Sequence, residues 1–118
     1  MIEVYQDKRG KIPFVEWMEE MKHRDESVYH KTEEMLSQME QGILRLERPN
    51  VKKMLARCDY RNLYKIRLGK YRLFFIVENG DYKLLHAFRK SSNATPEKEV
   101  KRVSREIEDG YYIALKKD

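Results

Sequence analysis

Closely spaced cations lie within the most β-prone stretch of the sequence, residues 64–77, which reads YKIRLGKYRLFFIV. Lys65 and Arg67 are two residues apart, so they share one face of a strand, and Arg72 follows a two-residue turn. In a tight hairpin Arg67 lies opposite or beside Arg72, where like charges repel each other. Arginine binds phosphate through a planar pair of donors, and an anion between the two would relieve the repulsion. The pattern indicates a phosphate-binding surface; the alternative is a solvated outer face on which the long side chains splay apart.

The positive charge of the chain is concentrated around this hairpin. The 118 residues include 25 Lys or Arg and 20 Asp or Glu, a formal net charge of +5. Residues 61–90 contain eight basic and two acidic side chains, whereas residues 1–60 contain eleven and twelve and residues 91–118 contain six of each. This distribution favours a polyanionic partner, nucleic acid first. The alternative is a basic domain whose charge serves solubility.

Length and composition restrict the class of protein. A chain of 118 residues predicts a single domain, 1–118, with one hydrophobic core. The sole cysteine, Cys58, excludes an internal disulfide and a thiolate zinc site, and we assign it no chemistry. The sequence has neither an apolar run of membrane-spanning length nor a basic-then-apolar leader. We therefore expect a cytoplasmic protein without membrane contact.

The first part of the sequence predicts one strand and two helices. Residues 2–6 alternate in polarity and predict a strand, and Pro13 is well suited to begin a helix. Asp25 or Ser27 caps a second, longer helix that ends near Gly42. Apolar residues at helical spacing form one stripe on each helix, which we assign to the core: Phe14, Trp17, Met18 and Met21, then Val28, Thr32, Met35, Leu36, Met39 and Ile43.

The second part predicts three strands and a last helix. Residues 44–60 lack periodicity and predict a loop with one short turn in VKKML. Three strands follow, joined by tight turns; they span 63–68, 71–77 and 82–90, with turns at Gly69-Lys70 and Asn79-Gly80. Thr95 as N-cap and Pro96 as first residue begin the last helix, which ends at Gly110 or continues to Leu115. The order β-α-α-β-β-β-α predicts an α+β fold with a small, mostly antiparallel sheet, two N-terminal helices and one C-terminal helix.

Two stretches, LYKIRLGKYRLFFIV and LLHAFRKSSNATPEKEV, resemble the RelE/ParE superfamily of bacterial toxins, most closely its HigB-like, phage-derived branch. The resemblance covers nearly the whole chain in element order and implies a RelE-like fold. It also implies the toxin of a type II toxin–antitoxin system. RelE-type toxins enter the ribosomal A site and cut mRNA without a metal or cofactor. The ribose 2′-OH attacks the adjacent phosphate and leaves a 2′,3′-cyclic phosphate.

The resemblance also implies roles for individual cations. The Y-K-x-K strand of the family matches residues 64–67, which implies proton transfer by Lys65 and phosphate contact by Arg67. Arg72 matches the arginine of Y-R-L and neutralises the phosphate. The cation after the third strand, Lys90 or Arg89, stabilises the charge of the transition state. We expect the three hairpin cations to lie outside the core, and further RNA contacts from Arg61, Lys70, Arg89 and His86.

The chain departs from RelE at the start of the last helix. RelE has a tyrosine there, whereas this sequence has Ala-Thr-Pro at 94–96. His86, Tyr111 and Tyr112 are the candidates to replace it in proton transfer. The alternative for His86 is a half-buried structural role, because it shares the parity of apolar neighbours in its strand. The alternative for both tyrosines is packing.

The resemblance implies a helix-turn-helix antitoxin as partner, besides the ribosome and mRNA, and contact with operator DNA only through the antitoxin complex. Two other functions stay open. A ParE-like inhibitor of DNA gyrase shares the fold, but such proteins usually lack cations matching Lys65, Arg67 and Arg72. A catalytically degenerate prophage protein that binds only RNA or its antitoxin is favoured by the missing tyrosine.

Overall fold

The computed structural model describes residues 1–54, 60 and 62–116. In this part of the chain it contains three helices and six strands. The strands are β1 (Ile2–Tyr5), β2 (Val51–Lys53), β3 (Leu63–Leu68), β4 (Tyr71–Glu78), β5 (Asp81–Arg89) and β6 (Tyr112–Ala114), and the helices are α1 (Pro13–Arg24), α2 (Glu26–Gln41) and α3 (Glu97–Asp109).

The six strands form one sheet in the order β2-β3-β4-β5-β1-β6. Every neighbouring pair is antiparallel except β1 and β5, which run parallel. The structure therefore confirms the α+β class and the mostly antiparallel sheet. Two short strands, β2 and β6, are added to the predicted order.

Strand β2 replaces the loop and turn that we predicted for this region. Val51 is buried and pairs with Ile66 of β3, and Lys52 pairs with Lys65. The strand has only three residues, too few for its side-chain alternation to be recognised beside Pro49. It forms because the edge of β3 offers backbone partners, which is information from outside the segment.

The chain after α3 turns back as a strand instead of extending the helix. Gly110 has a φ of 64° and its amide donates to the carbonyl of Glu106, so it ends the helix in the left-handed conformation. Tyr112 then pairs with Tyr5 as β6 joins the free edge of β1. The open question about the end of this helix is resolved in favour of Gly110.

Local capping chemistry fixes the first two helices as predicted. α1 begins at Pro13, and α2 begins after Asp25, whose Oδ1 accepts a hydrogen bond of 3.2 Å from the amide of Val28. Gly42 ends α2 with a φ of 71°.

The sheet separates two apolar cores. α1 and α2 cover one face, where helix residues such as Trp17 and Met35 pack against the strands. α3 lies against the other face and contacts mainly β5; its Val103 joins a second cluster with Tyr5, Met54, Leu63, Phe74, Ile76, Leu85 and Phe88. Beside α3, the ends of β3 and β4 near their connecting turn are less covered, and Arg67 is exposed there. No helix in the described part of the chain is long and apolar enough to cross a membrane.

Candidate active site

The register of the central hairpin brings its cations together. Arg67 pairs directly with Arg72, as predicted, and Leu68 pairs with Tyr71 across the turn. Gly69 has a φ of 61°, the left-handed geometry that a primed two-residue turn requires at its first position. Lys65 lies two residues before Arg67 and therefore on the same face of the sheet.

The third strand of the meander adds one more cation. Tyr71 pairs with Arg89 and packs edge-on against Trp17, so this pair lies on the face covered by α1 and α2. Lys90 follows Arg89, and its amide donates to the carbonyl of Lys70 at 2.8 Å. Strand parity thus places Lys90 beside Arg72, where its charge interacts with the hairpin cations. We refer to Lys65, Arg67, Arg72 and Lys90 together as the basic face.

Burial and then repulsion lower the pKa of two members of the basic face, Lys90 and Arg72. The pKa of Lys90 is lowered by partial desolvation and then by the charges of Arg72, Arg67 and Lys52. The pKa of Arg72 is lowered by desolvation and then by Arg67. Cations held this close in the folded chain favour an anion among them.

Lys65 is buried, contrary to our expectation that the hairpin cations lie outside the core. Its side chain is only 8% exposed, and its Nζ donates a hydrogen bond of 2.7 Å to Oγ1 of Thr95. Lysine is rarely buried unless its ammonium is paired or hydrogen-bonded. The predicted N-cap role of Thr95 is wrong, because α3 begins after Pro96 and the threonine hydroxyl faces Lys65 instead.

Arg72 is oriented by the turn that it follows. Its Nη1 donates to the carbonyl oxygens of Gly69 at 2.9 Å and Tyr71 at 2.8 Å. These bonds use two of the five N–H groups of the guanidinium, so the side chain is fixed in place and still has donors for an anion.

His86 does not lie on the basic face. It is 1% exposed, and its ring nitrogens lie 2.6 Å from Oε1 of Glu106 and 3.0 Å from Oε1 of Glu99. Arg102 holds the second oxygen of Glu106 at 3.2 Å. His86 therefore joins β5 to α3 and has no surface with which to contact RNA, which corrects its predicted role. It is fully buried, and not half-buried, because α3, which carries both carboxylates, packs over it.

The two C-terminal tyrosines are remote from the basic face. β6 lies at the opposite edge of the sheet, separated from β3 by β4, β5 and β1. Tyr112 packs there, with its ring centre 6.3 Å from that of Tyr5 and 5.0 Å from Nζ of Lys83. Tyr111 is 58% exposed, so the packing alternative holds only for its neighbour. Neither can exchange a proton with a group bound at Lys65.

The remaining predicted residues are dispersed. Lys70 is exposed in the turn beside the basic face, and Arg89 is exposed at the end of β5. Arg61, predicted to bind RNA, and Cys58 lie outside the described residues.

Two residues at the site were missed in the sequence. Thr95 contacts Lys65 across thirty positions of sequence, which no local pattern indicates. Lys52 pairs with Lys65 through β2. The only sequence feature that indicated β2 was the β-branched Val51 after Pro49 and Asn50, and this is a weak signal by itself.

The site offers charge and hydrogen-bond donors. Within the described ranges, no group of three or more His, Cys, Asp or Glu residues could hold a metal ion. The guanidinium groups of Arg67 and Arg72 can bind a phosphate group, and a lysine fixed by a hydrogen bond can, as the uncharged amine, accept a proton from an adjacent hydroxyl. The arrangement is suited to binding a phosphodiester and stabilising added negative charge on it.

Solved structures of similar fold include those of a bacterial toxin, YoeB of Staphylococcus aureus. Its dimer is 17% identical to this chain, covers 67% of this chain and 88% of its own, and superposes with a TM-score of 0.51. Its heterotetrameric complex with the antitoxin YefM is 16% identical, covers 78% and 97%, and gives a TM-score of 0.53. A further YoeB–YefM complex is 15% identical with the same coverage and TM-score. These likenesses show the shared fold.

Sequence comparison gives the family. No protein with a curated description matches the chain significantly. Residues 19–108 match the sequence model of the phage-derived, Gp49-like proteins, also called DUF891. This match spans most of the chain, including the basic face. The predicted RelE/ParE membership is confirmed, whereas the HigB branch stays a prediction. The chain belongs to the phage-derived Gp49-like family and has the RelE-like fold of the YoeB toxin.

Proposed function

We propose that this chain is the toxin of a type II toxin–antitoxin pair and cleaves mRNA on the ribosome. The observation that carries the proposal is the basic face itself. Four cations from β3, β4 and the end of β5 converge on one surface of a YoeB-like fold, although their repulsion destabilises the free chain. Like charges that destabilise the free chain are expected where an anionic substrate binds.

In the proposed reaction the ribose 2′-oxygen forms a bond to the adjacent phosphorus while the bond from phosphorus to the 5′-oxygen breaks. The 2′-hydroxyl loses its proton to Lys65, which accepts it as the uncharged amine in equilibrium with its ammonium form, and the departing 5′-oxygen gains one from Lys90. The products are a 2′,3′-cyclic phosphate and a 5′-hydroxyl, and neither a metal nor water is consumed. Arg67 and Arg72 hold the phosphate oxygens as negative charge accumulates on them.

Lys90 is placed to stabilise the charge of the transition state. Its lowered pKa also makes it a stronger acid than an ordinary lysine, which suits protonation of the leaving oxygen. This supplies a candidate for the role of the tyrosine that RelE carries and this chain lacks.

The partners follow from the same proposal. The two YoeB–YefM complexes support a protein antitoxin, for which we propose a small helix-turn-helix repressor that masks the basic face. Operator DNA is bound only through that complex. Since the target is the translating ribosome, the toxin acts in the cytoplasm.

Primer extension on cellular mRNA after brief induction tests the proposal. We expect cuts within translated codons, absent when translation initiation is blocked, and cleavage in purified ribosome reactions that survives chelation of metals. Removing one preorganised charge donor costs about 10²- to 10³-fold in rate, so Arg67→Ala and Lys65→Met lose the cuts. The methionine keeps the buried volume of the lysine stem, and thermal unfolding verifies the fold.

Lys22→Ala is the matched control, because Lys22 is an exposed cation on α1 away from the site. Full toxicity of Arg67→Ala would show that the site is assigned wrongly. Intact messages in arrested cells, with supercoiling lost first, would remove the nuclease and favour a gyrase inhibitor.

A further inference from the structure

Strand β2 extends the basic face in a direction that the hairpin alone does not reach. β2 is the outermost strand, and its Lys52 pairs with Lys65 while Lys53 pairs with Tyr64. Partners in a ladder point to the same side of a sheet. The side chain of Lys52 is therefore on the basic face, and it is exposed.

A groove runs between β2 and the segment that precedes α3. It has a volume of about 470 Å³ and is bordered by Lys52 and Met54 on one side, by residues 93–95 on the other, and by Lys65. Thr95 in this border is the residue that holds the ammonium of Lys65. The groove is thus continuous with the proposed catalytic centre.

Charge in the groove favours an anion. Apart from Lys53, whose ammonium lies over Tyr64 on the other face of the sheet, the lining contains three cations and one carboxylate, that of Glu47, which lies 3.2 Å from the guanidinium of Arg45. The charge of Lys52 reaches across the basic face, because it contributes to the lowered pKa of Lys90. A polyanion bound at the hairpin would therefore also be attracted by Lys52.

We infer that this groove is a second phosphate subsite, in which Lys52 binds the phosphate next to the one held by Arg67 and Arg72. The inference rests on the proposed function, since it takes single-stranded RNA as the ligand. Neighbouring strands are about 4.8 Å apart and residues rise about 3.4 Å along a strand. Lys52 on β2 is two strand spacings from β4 and, through Lys65 and Phe74, two residues out of register with Arg72, so the two backbone positions lie about 12 Å apart. This separation suits two phosphates of one chain better than one phosphate. The polar side chain of Asn93 and the apolar one of Met54 border the space left for the nucleotide between them.

The chain itself provides a matched control. Lys53 is adjacent, equally charged and on the same exposed edge strand, and it also borders the groove. Its ammonium, however, lies 5.9 Å from the ring centre of Tyr64, on the face that α1 and α2 cover. An RNA bound on the basic face should therefore contact the ammonium of Lys52 and not that of Lys53.

The test is the salt dependence of RNA binding by the purified full chain. The probe is a short, fluorescently labelled single-stranded RNA with 2′-O-methyl groups throughout, so that it cannot be cut. Each phosphate contact adds about 0.7 to the slope of log affinity against log salt for single strands. We expect Lys52→Ala to lower the slope by about that amount and Lys53→Ala to leave it unchanged.

A slope unchanged by Lys52→Ala, or lowered equally by both substitutions, would overturn the subsite. Weaker binding of an acidic poly-glutamate peptide by Lys52→Ala, without an effect on RNA, would overturn it too and indicate a protein ligand. Ribosome-dependent cleavage by the unsubstituted chain is measured in parallel. If the chain cleaves mRNA but Lys52→Ala leaves the salt slope unchanged, only the subsite is wrong. If Lys52→Ala lowers the slope but the chain does not cleave mRNA, the RNA subsite stands and the proposed nuclease activity is wrong.

Discussion

Lys65 and Thr95 form the contact on which the proposed chemistry depends most directly. Both side chains are buried, 8% and 7% exposed, at the border between the basic face and α3. Burial of an ammonium is unfavourable unless hydrogen bonds replace its hydration. The threonine oxygen supplies such a bond at 2.7 Å and fixes where Nζ lies. Thr95 is thus a positioning residue, which acts on the substrate through Lys65.

We expect Thr95→Val to reduce the cleavage rate while leaving RNA affinity unchanged. Valine matches the shape of threonine but removes the acceptor, and a hydrogen bond to a charged group contributes about 1.5–3 kcal/mol. This corresponds to a loss in kcat of roughly tenfold or more, with the charge of Lys65 still present for binding.

Thr95→Ser is the control, because it keeps the oxygen and should restore most of the rate. Single-turnover cleavage on ribosomes and RNA-binding titrations measure the two quantities separately. Equal losses in Thr95→Val and Thr95→Ser would mean that packing of the methyl group, and not the hydrogen bond, is what matters.

The hairpin of β3 and β4 is the element that assembles the phosphate site. Its two-residue turn sets the register, and a slip by one residue would send every cation to the opposite face. Gly69 makes the turn possible in two ways. Its φ of 61° is unfavourable for residues with a side chain, and an added Cβ would lie 2.8 Å from Cγ2 of Val28 in α2.

Gly69→Ala should therefore destabilise the fold more than Gly80→Ala, which serves as its control. Gly80 has a φ of 81° but nothing within 4 Å of an added Cβ, so alanine there brings only backbone strain of about 1–2 kcal/mol. Urea denaturation gives the two free energies of unfolding.

The excess at Gly69 should shrink in the double variant with Val28→Ala, which removes the clashing methyl group. Independent, additive effects of Gly69→Ala and Val28→Ala would show that the turn moves away from α2 and that the helix does not constrain the hairpin.

At the scale of the molecule, apolar and charged surface are divided by the sheet. Helices α1 and α2 close one face, and α3 covers part of the other, which leaves the cations of β2, β3 and β4 beside it. The concentration of charge in residues 61–90 thus becomes one surface. Such a surface opposes folding by self-repulsion when no anion is bound.

Arg67→Gln should accordingly stabilise the free protein while it abolishes toxicity. Removing one member of the facing Arg67 and Arg72 pair relieves a repulsion of about 0.2–1 kcal/mol. Screening lengths fall from about 10 Å at 0.1 M to about 3 Å at 1 M salt, so the gain should shrink as salt is added. Thermal and urea unfolding at both concentrations measure it.

Arg24→Gln is the control for a general charge effect, because Arg24 is exposed and paired with Glu20 at 2.9 Å on α1. Arg24→Gln should not raise the free energy of unfolding. A loss of stability in Arg67→Gln at both salt concentrations would mean that this guanidinium stabilises the fold and does not serve to bind an anion.

Local chemistry explains which parts of the molecule the sequence predicted. The start of α1 at Pro13, the cap at Asp25 and the end of α2 at Gly42 each depend on residues within one turn. The facing of Arg67 and Arg72 follows from alternation and a two-residue turn. These features are encoded by neighbours in the chain, so the fold class and the core of the basic face could be predicted.

Tertiary contacts decided the rest. β2 exists because β3 offers it an edge, Lys65 is buried because Thr95 is packed over it, and His86 is buried between Glu99 and Glu106 of α3. These partners are between 13 and 30 positions apart in sequence. The sequence by itself determined which cations would share a face, because strand geometry is local. Only the folded sheet decided which are buried, which reach solvent and which further lysine joins them, because burial depends on what packs from elsewhere in the chain.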